Sequence, residues 1–261
     1  MIYKTRRRKV FNLVDLTGKK IVLTGASQGI GRDTAIMLSK LGAQMILIAR
    51  CEEKLKETIS CLEGVGHSYY LLDIAQLDDI ENCVRKIVED NGAVDGLVYC
   101  AGVGTSRPLN FFKHEIIQDV LQVNLLGFIE FVRCFAKKKR YNRGMRIVGI
   151  SSIAALRGDK THTAYSASKA GMDGAVRCLA KELADKNICI NTVAPAMIKT
   201  AMYEGYLANN GEESNIELLK RQYLGLGETK DVAAAIAFLM SQAAKFITGI
   251  CMPVDGGYTS C

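Results

Sequence analysis

The stretch KIVLTGASQGIGRDTAIMLSK, residues Lys20–Lys40, decides the fold of this chain. A short apolar run, KIVLT, is followed by a glycine-rich turn and then by a helical pattern. Glycine lets the backbone turn tightly and approach a ligand closely, and a helix N-terminus offers unpaired amides to an anion. The turn, Gly25–Gly31 with the spacing GxxxGxG, is also compatible with a purely structural role. Its position between a strand and a helix favours a phosphate-binding βα unit.

Apolar runs and longer helical patterns alternate along the rest of the chain. This alternation is typical of stacked βαβ units with a parallel sheet, and strands that are apolar throughout indicate that helices cover both faces. The predicted strands are 20–24, 45–49, 67–72, 94–99, 146–150, 188–194 and 250–254, and the predicted helices are 29–41, 52–63, 76–91, 112–139, 165–185 and 228–242. No linker rich in proline, glycine or serine interrupts the pattern. We therefore predict one doubly wound, Rossmann-like α/β domain over residues 16–261, preceded by a basic arm at residues 1–15.

One segment breaks this rhythm. Residues 197–226 separate the sixth strand from the next helix, whereas such connections usually have roughly two to six residues. The helical pattern in ESNIELLKRQYL, residues 213–224, suggests a lid over a ligand site. Its apolar and aromatic side chains either suit a carbonyl compound with an apolar part or simply pack the lid onto the body. These side chains are Met197, Met202, Tyr203, Tyr206, Leu207, Leu218, Leu219 and Tyr223.

Charge and hydropathy narrow the possible partners. The 261 residues carry a net charge of +7, but five basic residues lie in KTRRRK, residues 4–9, and without them the charge is +2. A second basic run, KKKRYNR at 137–143, leads into a predicted Asn-Arg-Gly turn at 142–144. Solvated surface explains both runs better than an anionic partner, so we expect no nucleic-acid partner. No apolar run approaches the roughly 20 residues that span a bilayer, and the N-terminus lacks the apolar stretch of a signal peptide. We therefore expect no membrane partner and a cytoplasmic location.

The nine cysteines are scattered and form no CxxC pair. Several lie in apolar segments, such as Cys100 and Cys189, so we expect buried free thiols, which fit a reducing compartment. The three histidines do not combine with them at zinc-binding spacing. We therefore expect no structural metal.

The end of the second strand predicts the cofactor. In dinucleotide-binding folds an acidic residue there binds the 2′-hydroxyl of NAD and repels the 2′-phosphate of NADP. Here the strand ends in Arg50, with no carboxylate before Glu52, and arginine forms bidentate bonds to phosphate. NADP(H) is therefore favoured over NAD(H); in the alternative, Arg50 is a solvated strand-end residue and both cofactors are accepted. Asp73, after the third strand, is placed either to accept from the adenine amino group or to cap the next helix.

Ser152, Tyr165 and Lys169 form a candidate catalytic set. Ser152 follows the fifth strand, at the carboxyl edge where parallel sheets bind ligands. Tyr165 and Lys169 are four residues apart, so their side chains share one face of a helix. A nearby cation stabilises a phenolate and lowers the tyrosine pKa from about 10 towards the working range. Tyr165 would then donate a proton to a carbonyl oxygen in reduction and accept one in oxidation. A YxxxK pair is common in isolation, and only its companions favour catalysis over a solvated surface pair.

Taken in order, these motifs resemble the single-domain branch of the short-chain dehydrogenase/reductase family. The resemblance covers residues 16–258, almost the whole chain. It implies a seven-stranded parallel sheet in the order 3-2-1-4-5-6-7 with helices on both faces, and a homotetramer. Its landmarks are TGASQGIG, Asp73, Cys100-Ala101-Gly102, Asn124 in NLLG, Ser152, YSASK, NTVAPAMIKT and the C-terminal VDGGY.

The resemblance also implies roles for individual residues. Asn124 would lie in a local distortion of the fourth long helix and hold a water that links Lys169 to solvent. Ser152 would hydrogen-bond the substrate oxygen, and Lys169 would also hold the nicotinamide ribose. Thr200 and the Ile198 backbone would bind the nicotinamide amide. The full set of predicted cofactor contacts is Gly25, Ser27, Gln28, Gly29, Ile30, Gly31, Arg50, Asp73, Ala101, Gly102, Tyr165, Lys169, Pro195, Ile198 and Thr200.

Three positions depart from the family's pattern. The usual asparagine before Ala-Gly is Cys100, at a position that supports the sheet. The common Pro-Gly after the sixth strand is Pro195-Ala196, which slightly narrows the nicotinamide pocket. The basic residue often found in the first turn of NADP-preferring members is Gln28, which leaves Arg50 as the main phosphate-binding residue.

The sequence leaves three hypotheses for the function, two of which name a substrate class. Within the family the general resemblance is to bacterial 3-oxoacyl-acyl-carrier-protein reductases, and an acidic carrier protein is compatible with a basic surface. The second hypothesis is another small alcohol or ketone, such as a sugar or polyol derivative. The third is a cofactor sensor or scaffold without turnover, which would predict a broken catalytic set. The loop at 154–163 holds Arg157, Lys160 and His162, which either meet an acidic or phosphorylated substrate or face water.

Overall fold

Seven parallel strands form the centre of the fold. The computed structural model describes residues 12–260, apart from the side chains of residues 209–215, 217 and 218. The strands are Lys20–Thr24 (β1), Gln44–Ala49 (β2), Ser68–Leu71 (β3), Val94–Tyr99 (β4), Tyr141–Ile150 (β5), Cys189–Pro195 (β6) and Cys251–Val254 (β7). They lie in the order β3-β2-β1-β4-β5-β6-β7 within one sheet. The predicted fold class and strand order are therefore confirmed.

Helices cover both faces of this sheet. They are Gly29–Lys40 (α1), Glu52–Ser60 (α2), Leu77–Asn91 (α3), His114–Leu121 (α4), Gly127–Phe135 (α5), Ile153–Arg157 (α6), Thr163–Glu182 (α7), Ala201–Arg221 (α8) and Thr229–Met240 (α9). Successive strand residues point to opposite faces. In β1, Val22 packs in a core with side chains of α3, α5 and α7, whereas Ile21 and Leu23 pack in a second core with α1, α2 and α9. This double burial explains why the strands are apolar throughout.

The predicted turn at 142–144 is wrong, because β5 runs through it. Tyr141 already pairs with Val94, and the register then shifts before Gly96 pairs with Arg146. Gly144 has a φ of 88°, a conformation that glycine adopts without steric cost. The chain therefore bends within the strand instead of ending it.

The single helix predicted at 112–139 is interrupted. A π-helical turn, Gln122–Leu126, separates α4 from α5. Such turns are often found at functional sites because the extra residue redirects the side chains around it. Asn124 lies in this turn, so the distortion that the family resemblance implies around it is present.

The long segment after β6 is closed at its base by one glutamine. α8 fills most of the segment and is longer than the predicted helical stretch. The buried Gln222 side chain donates to the Met197 carbonyl at 3.0 Å and to the Gly225 carbonyl at 2.6 Å, and it accepts from the Met197 amide at 3.2 Å. A parallel bridge between Ile198 and Gly227 adds to this closure. The two ends of the segment are thus held together beside β6.

Within residues 12–260, none of the helices is long and apolar enough to cross a membrane. The eight cysteines of this part are all free thiols, as expected, but only Cys134 and Cys189 are buried. The expectation of general burial is therefore wrong. The basic run at 4–9, most of the predicted arm at 1–15 and Cys261 lie outside the described residues.

Candidate active site

A cleft of about 470 Å³ lies at the carboxyl ends of the strands. Its wall includes every predicted cofactor contact and three of the four predicted catalytic residues. The fourth, Asn124, is fully buried behind the wall. Parallel strands bring their carboxyl ends to one edge of a sheet. Residues as distant in the chain as Gly25 and Thr200 therefore meet here.

Two glycines of the turn after β1 have no room for a side chain. A Cβ added to Gly31 would lie 2.1 Å from the Gly25 carbonyl oxygen, and one added to Gly25 would lie 2.8 Å from the Ala101 amide nitrogen. The hydroxyl of Thr24 accepts from the Cys100 and Ala101 amides, both at 3.2 Å. The turn is therefore held tightly against the end of β4, which is possible only because Gly25 and Gly31 have no side chain.

The N-terminus of α1 is open to an anion. Its N-cap residue, Gln28, makes no capping hydrogen bond with its side chain, and the first turn contains no acidic residue. The amides at a helix start carry a partial positive charge. Together with the bare glycine turn, this donor set fits the pyrophosphate of a dinucleotide.

Two cations flank the cleft near the end of β2, and one of them was not predicted. Arg50 is exposed at the strand end and lines the cleft. Lys54, on α2, also lines the cleft, and its Nζ donates to Gln28 Oε1 at 3.2 Å. Sequence reasoning missed Lys54 because it lies beyond the strand end that usually contacts the ribose. A basic residue in the first turn of the following helix was the available signal.

Asp73 lines the cleft beside the end of β3. Its Oδ1 accepts from the Ala75 amide at 3.1 Å, and the N-cap of α3 is Gln76. The alternative that Asp73 caps this helix is therefore wrong. A contact between Asp73 and adenine stays a prediction.

Ser152, Tyr165 and Lys169 meet at one wall of the cleft. Ser152 is the N-cap of α6, and its Oγ accepts from the Ala154 amide at 3.2 Å. The same side chain hydrogen-bonds Tyr165. Lys169 lies one turn further along α7, with its Nζ 5.7 Å from the centre of the Tyr165 ring. The fold thus collects a hydroxyl, a phenol and an ammonium group around one end of the cleft.

The pKa of Tyr165 is shifted in the direction opposite to the expectation. Burial raises the pKa of Tyr165, and the hydrogen bond from Ser152 opposes that rise. Burial lowers the pKa of Lys169 to about 8, and its Nζ donates to the Ile150 carbonyl at 2.7 Å. The predicted lowering of the Tyr165 pKa is therefore wrong for the protein alone, because loss of solvation outweighs the hydrogen bond from Ser152. At neutral pH Tyr165 is a phenol, which is the form that donates a proton.

Asn124 holds the loop after β4 against α7. Its Oδ1 accepts from the Val103 amide at 2.8 Å, and its Nδ2 donates to the Val103 carbonyl and to Ser168 Oγ, both at 3.0 Å. Gly102 lies between Asn124 and Lys169, because a Cβ on it would be 3.3 Å from Asn124 Oδ1 and 3.4 Å from Lys169 Nζ. Asn124 therefore joins the loop after β4 to α7 beside Lys169, behind the cleft wall.

The predicted nicotinamide contacts lie together after β6. Pro195, Ile198 and Thr200 all line the cleft. Thr200 is the N-cap of α8, where its Oγ1 accepts from the Tyr203 amide at 3.4 Å and donates to the Ile198 carbonyl at 3.2 Å. The start of the long segment is therefore ordered by its own hydrogen bonds before any ligand contributes.

Of the apolar and aromatic side chains that the sequence singled out in the long segment, three line the cleft: Met197, Met202 and Tyr203. Met202 is largely exposed, and its side chain would contact a Cβ added to Gly104. The part of the cleft wall that this segment forms is thus partly apolar. Other predicted residues of the segment do not line the cleft, namely Tyr206, Leu207, Leu219 and Tyr223.

The basic side chains of the loop before α7, which the sequence suggested as possible substrate contacts, do not line the cleft. Arg157 donates to the Tyr258 carbonyl at 3.0 Å, and its guanidinium lies 5.9 Å from the centre of the Tyr258 ring. Neither it nor Lys160 nor His162 lines the cleft. The His162 ring nevertheless packs edge-on to Tyr165, with 6.4 Å between ring centres.

A second polar cluster lies away from the cleft, between α3 and α5. The ligand atoms of Glu81, Glu130 and Cys134 lie within 4.8 Å of one another. Three basic side chains pair with Glu81, and the hydrogen bonds from Arg140 and Lys137 hold the pKa of its carboxyl well below the usual range. These cations would compete with a metal ion for the carboxylates, which agrees with the expectation of no structural metal. That expectation stays a prediction. The three are Arg133, Lys137 and Arg140.

Comparisons with known proteins agree with this geometry. Residues 25–259 match the family described as "Enoyl-(Acyl carrier protein) reductase". The chain is 37% identical to a 3-oxoacyl-[acyl-carrier-protein] reductase of Rickettsia conorii, over 94% of this chain and 98% of that protein. It is 34% identical to the L-xylulose reductase of Caenorhabditis elegans, over 94% and 98%. A putative NAD(P)-dependent gluconate 5-dehydrogenase from Beutenbergia cavernae, solved with bound NADP at low occupancy, superimposes with a TM-score of 0.87 at 28% identity, over 96% and 100%.

Proposed function

The chain belongs to the short-chain dehydrogenase/reductase family of oxidoreductases, and on that premise we propose that it transfers hydride between NADP(H) and a carbonyl or alcohol substrate. The observation that carries this proposal is the meeting of Ser152, Tyr165 and Lys169 at one end of a cleft whose other end is a bare glycine turn. A cofactor sensor or scaffold without turnover is disfavoured, because the complete catalytic set lines or backs one cleft.

Each residue of the site has its own role in the proposed reaction. A bound nicotinamide supplies hydride to the substrate carbon or takes it up. Ser152 donates a hydrogen bond to the substrate oxygen, and Tyr165 transfers its phenolic proton to that oxygen as the carbon is reduced. Lys169 stabilises the resulting phenolate and holds the nicotinamide ribose. In oxidation the phenolate of Tyr165 accepts the proton instead.

Asn124 and a water complete the proton path in this proposal. The support is its burial in the π-helical turn and its position one glycine away from Lys169. A proton taken from Lys169 by Tyr165 would be replaced from solvent through that water. The side chain of Asn124 fixes the geometry by its bonds to Val103 and Ser168.

The preference for NADP(H) is supported by the cations beside the cleft. Arg50 and Lys54 approach the same end of it, with no acidic residue among the residues that line that end before Asp73. A solved relative of similar fold contains NADP. Arginine and lysine both bind phosphate strongly, whereas a 2′-hydroxyl gains little from two cations. We therefore propose that Arg50 and Lys54 bind the 2′-phosphate.

Replacement of Lys54 by Met is expected to weaken NADPH binding by about tenfold, the loss of one charge-assisted hydrogen bond at an exposed site, and to leave NADH binding unchanged. Fluorescence titration with both cofactors measures this. The matched control is Lys56→Met, since Lys56 is an exposed lysine of the same helix that pairs with Glu52 at 2.9 Å. A clear NADH preference of the unaltered protein would defeat the NADP proposal itself.

The substrate we favour is a 3-oxoacyl thioester, free or bound to a carrier protein. Similarity to several 3-oxoacyl-[acyl-carrier-protein] reductases supports it, as does the apolar part of the cleft wall made by Met197 and Met202. The L-xylulose reductase relative supports the second candidate, a sugar or polyol derivative. An NADPH-oxidation screen of 3-oxoacyl thioesters against sugars and ketones decides between them, with Tyr165→Phe as the blank. Turnover of sugars alone would reject the thioester.

The pH dependence of catalysis should follow Lys169. Its pKa, lowered by burial to about 8, means that its charge is present below that pH and is lost as the pH rises through it. We therefore expect kcat/KM for NADPH, which reports ionisations of the free enzyme, to be level near pH 6–7 and to fall above about pH 8. A profile that is level to pH 10 would contradict this assignment.

Three further properties belong to the proposal. The segment at 197–226 would act as a lid, because it contributes to the cleft wall and is closed at its base by Gln222. A homotetramer is supported by exposed apolar side chains around α4 and α5, which include Leu126 and Ile129. We also propose a cytoplasmic location without nucleic-acid or membrane partners, and the moderate charge outside the basic arm supports the absence of a nucleic-acid partner.

A further inference from the structure

Asp173 is a buried carboxylate that the proposed chemistry does not use. It lies on α7, only 5% exposed. Ser151 Oγ donates to its Oδ2 at 2.9 Å, and Thr192 Oγ1 donates to its Oδ1 at 2.6 Å. Burying a carboxylate is costly unless it is hydrogen-bonded and its charge is compensated. The two hydroxyls supply the hydrogen bonds, but neither compensates the negative charge.

The two hydroxyls come from strands that carry other parts of the site. Ser151 precedes the catalytic Ser152 at the end of β5, and Thr192 belongs to β6, which leads to the predicted nicotinamide contacts. Asp173 itself shares a helix with Tyr165 and Lys169. One carboxylate thus connects the three elements whose relative positions set the geometry of the cleft.

Lys169 presents the opposite problem. Its side chain is buried, with the residue 3% exposed, and among the ion pairs of residues 12–260 neither Lys169 nor Asp173 has a partner within 4.0 Å. The Lys169 ammonium bonds a carbonyl instead, that of Ile150. Residues four apart on a helix lie on one face, so the two buried charges are one turn from each other. In a medium of low polarity such charges interact strongly even without contact.

The other titratable groups around this pair do not supply the missing charge. Tyr165 lies on the same helix, Cys100 faces Lys169 from the end of β4, and Cys251 faces Asp173 from β7. Burial raises the pKa of Cys100 to about 12 and that of Cys251 to about 11. Both thiols, like the Tyr165 phenol, are therefore neutral at physiological pH. Negative charge on Cys100 or on Asp173 would favour the protonated form of Lys169; because the Cys100 thiol is neutral, Asp173 is the group that supplies this charge.

We propose that Asp173 is a positioning residue of the active site, whose buried carboxylate is the counter-charge of Lys169 and whose two hydroxyl donors fix the ends of β5 and β6 against α7. This inference rests on the proposed function, since it assigns Asp173 a part in keeping the catalytic lysine charged.

The first test is the pH profile of Asp173→Asn, which removes the charge and keeps the shape. The fall in kcat/KM for NADPH should begin at least one pH unit lower than in the unaltered enzyme, a tenfold loss of proton affinity at Lys169. Thr192→Val, which removes a hydroxyl donor and keeps the carboxylate, should leave the position of the fall unchanged. An unshifted profile in Asp173→Asn would overturn the proposal, because a merely structural residue changes rates without moving this ionisation.

The second test needs no activity and measures folding by urea denaturation. Asp173→Asn should lower the folding equilibrium constant. The factor by which it does so should be at least about tenfold smaller when Lys169 is already Met, because the uncompensated buried cation is then absent. Folding of the double variant where Asp173→Asn alone does not fold would equally support the pair. Equal losses in both backgrounds, or failure to fold in both, would overturn it. If the unaltered protein does not turn over NADPH at all, the proposed function fails while this cycle still reports on the charge pair.

Discussion

Replacing Tyr165 by Phe should lower kcat by about a thousandfold, within the usual range for removal of a general acid or base. The ring would keep its contacts with His162 and Lys169, so the loss would be confined to the phenolic proton and to the hydrogen bond with Ser152. NADPH binding, measured by fluorescence titration, should change little. Steady-state kinetics on the substrate found in the screen provide the rate.

A matched control removes a tyrosine hydroxyl elsewhere in the fold. Tyr70 on β3 donates to Asp90 and accepts from Asn91, both at 2.8 Å, and does not line the cleft. Tyr70→Phe should therefore cost some stability and leave kcat unchanged. If Tyr165→Phe retained full activity, proton transfer by Tyr165 would be disproved, whatever the cofactor or substrate.

Replacing Gly31 by Ala should abolish cofactor binding and strongly destabilise the protein. The added Cβ would lie 2.1 Å from the Gly25 carbonyl oxygen and 3.4 Å from the Ala26 Cα. Because the obstacle is backbone, no side chain can rotate away, and α1 must move from the turn that begins it. We expect a loss of about 3 kcal/mol or more in the free energy of unfolding, with NADPH affinity reduced by at least about a hundredfold.

Gly174→Ala is the control for this substitution. Gly174 lies within α7, where a Cβ would meet nothing nearer than the Arg177 guanidinium at 3.8 Å. Alanine stabilises a helix interior relative to glycine by about 1 kcal/mol, so this variant should be as stable as the unaltered protein or more so. Urea denaturation and NADPH titration measure both variants. Wild-type affinity in Gly31→Ala would show that the turn tolerates a side chain and does not cradle the pyrophosphate.

Local patterns were sufficient for the fold class, whereas the strand order was predicted only from the family resemblance. KIVLT and the other apolar runs predict strands because a strand buried on both faces has no position for a polar side chain, and the alternation with helical patterns predicts parallel order. Turn chemistry was less certain. The Asn-Arg-Gly at 142–144 has a turn composition, yet pairing with Val94 extends β5 through it, since sheet hydrogen bonds override a local preference.

Two of the proposed catalytic residues could also be predicted along the chain, because their chemistry depends on a short spacing. Because they are four residues apart, Tyr165 and Lys169 share one face of their helix wherever that helix lies in the fold. The direction of the Tyr165 pKa shift was predicted wrongly, since a pKa depends on how much solvent the surrounding chain removes. The spacing indicates only that the cation is near; burial in the folded cleft raises the Tyr165 pKa and lowers that of Lys169.

The contacts between distant segments emerged only on folding. Lys54 approaches Gln28, and Asp173 accepts hydrogen bonds from the hydroxyls of Ser151 and Thr192; neither Lys54 nor Asp173 belongs to a motif that was recognised along the chain. Periodicity and spacing report what happens within one strand, turn or helix, where geometry repeats with the backbone. Which elements lie side by side, and hence which buried charges face each other, depends on packing over long separations that no local pattern encodes.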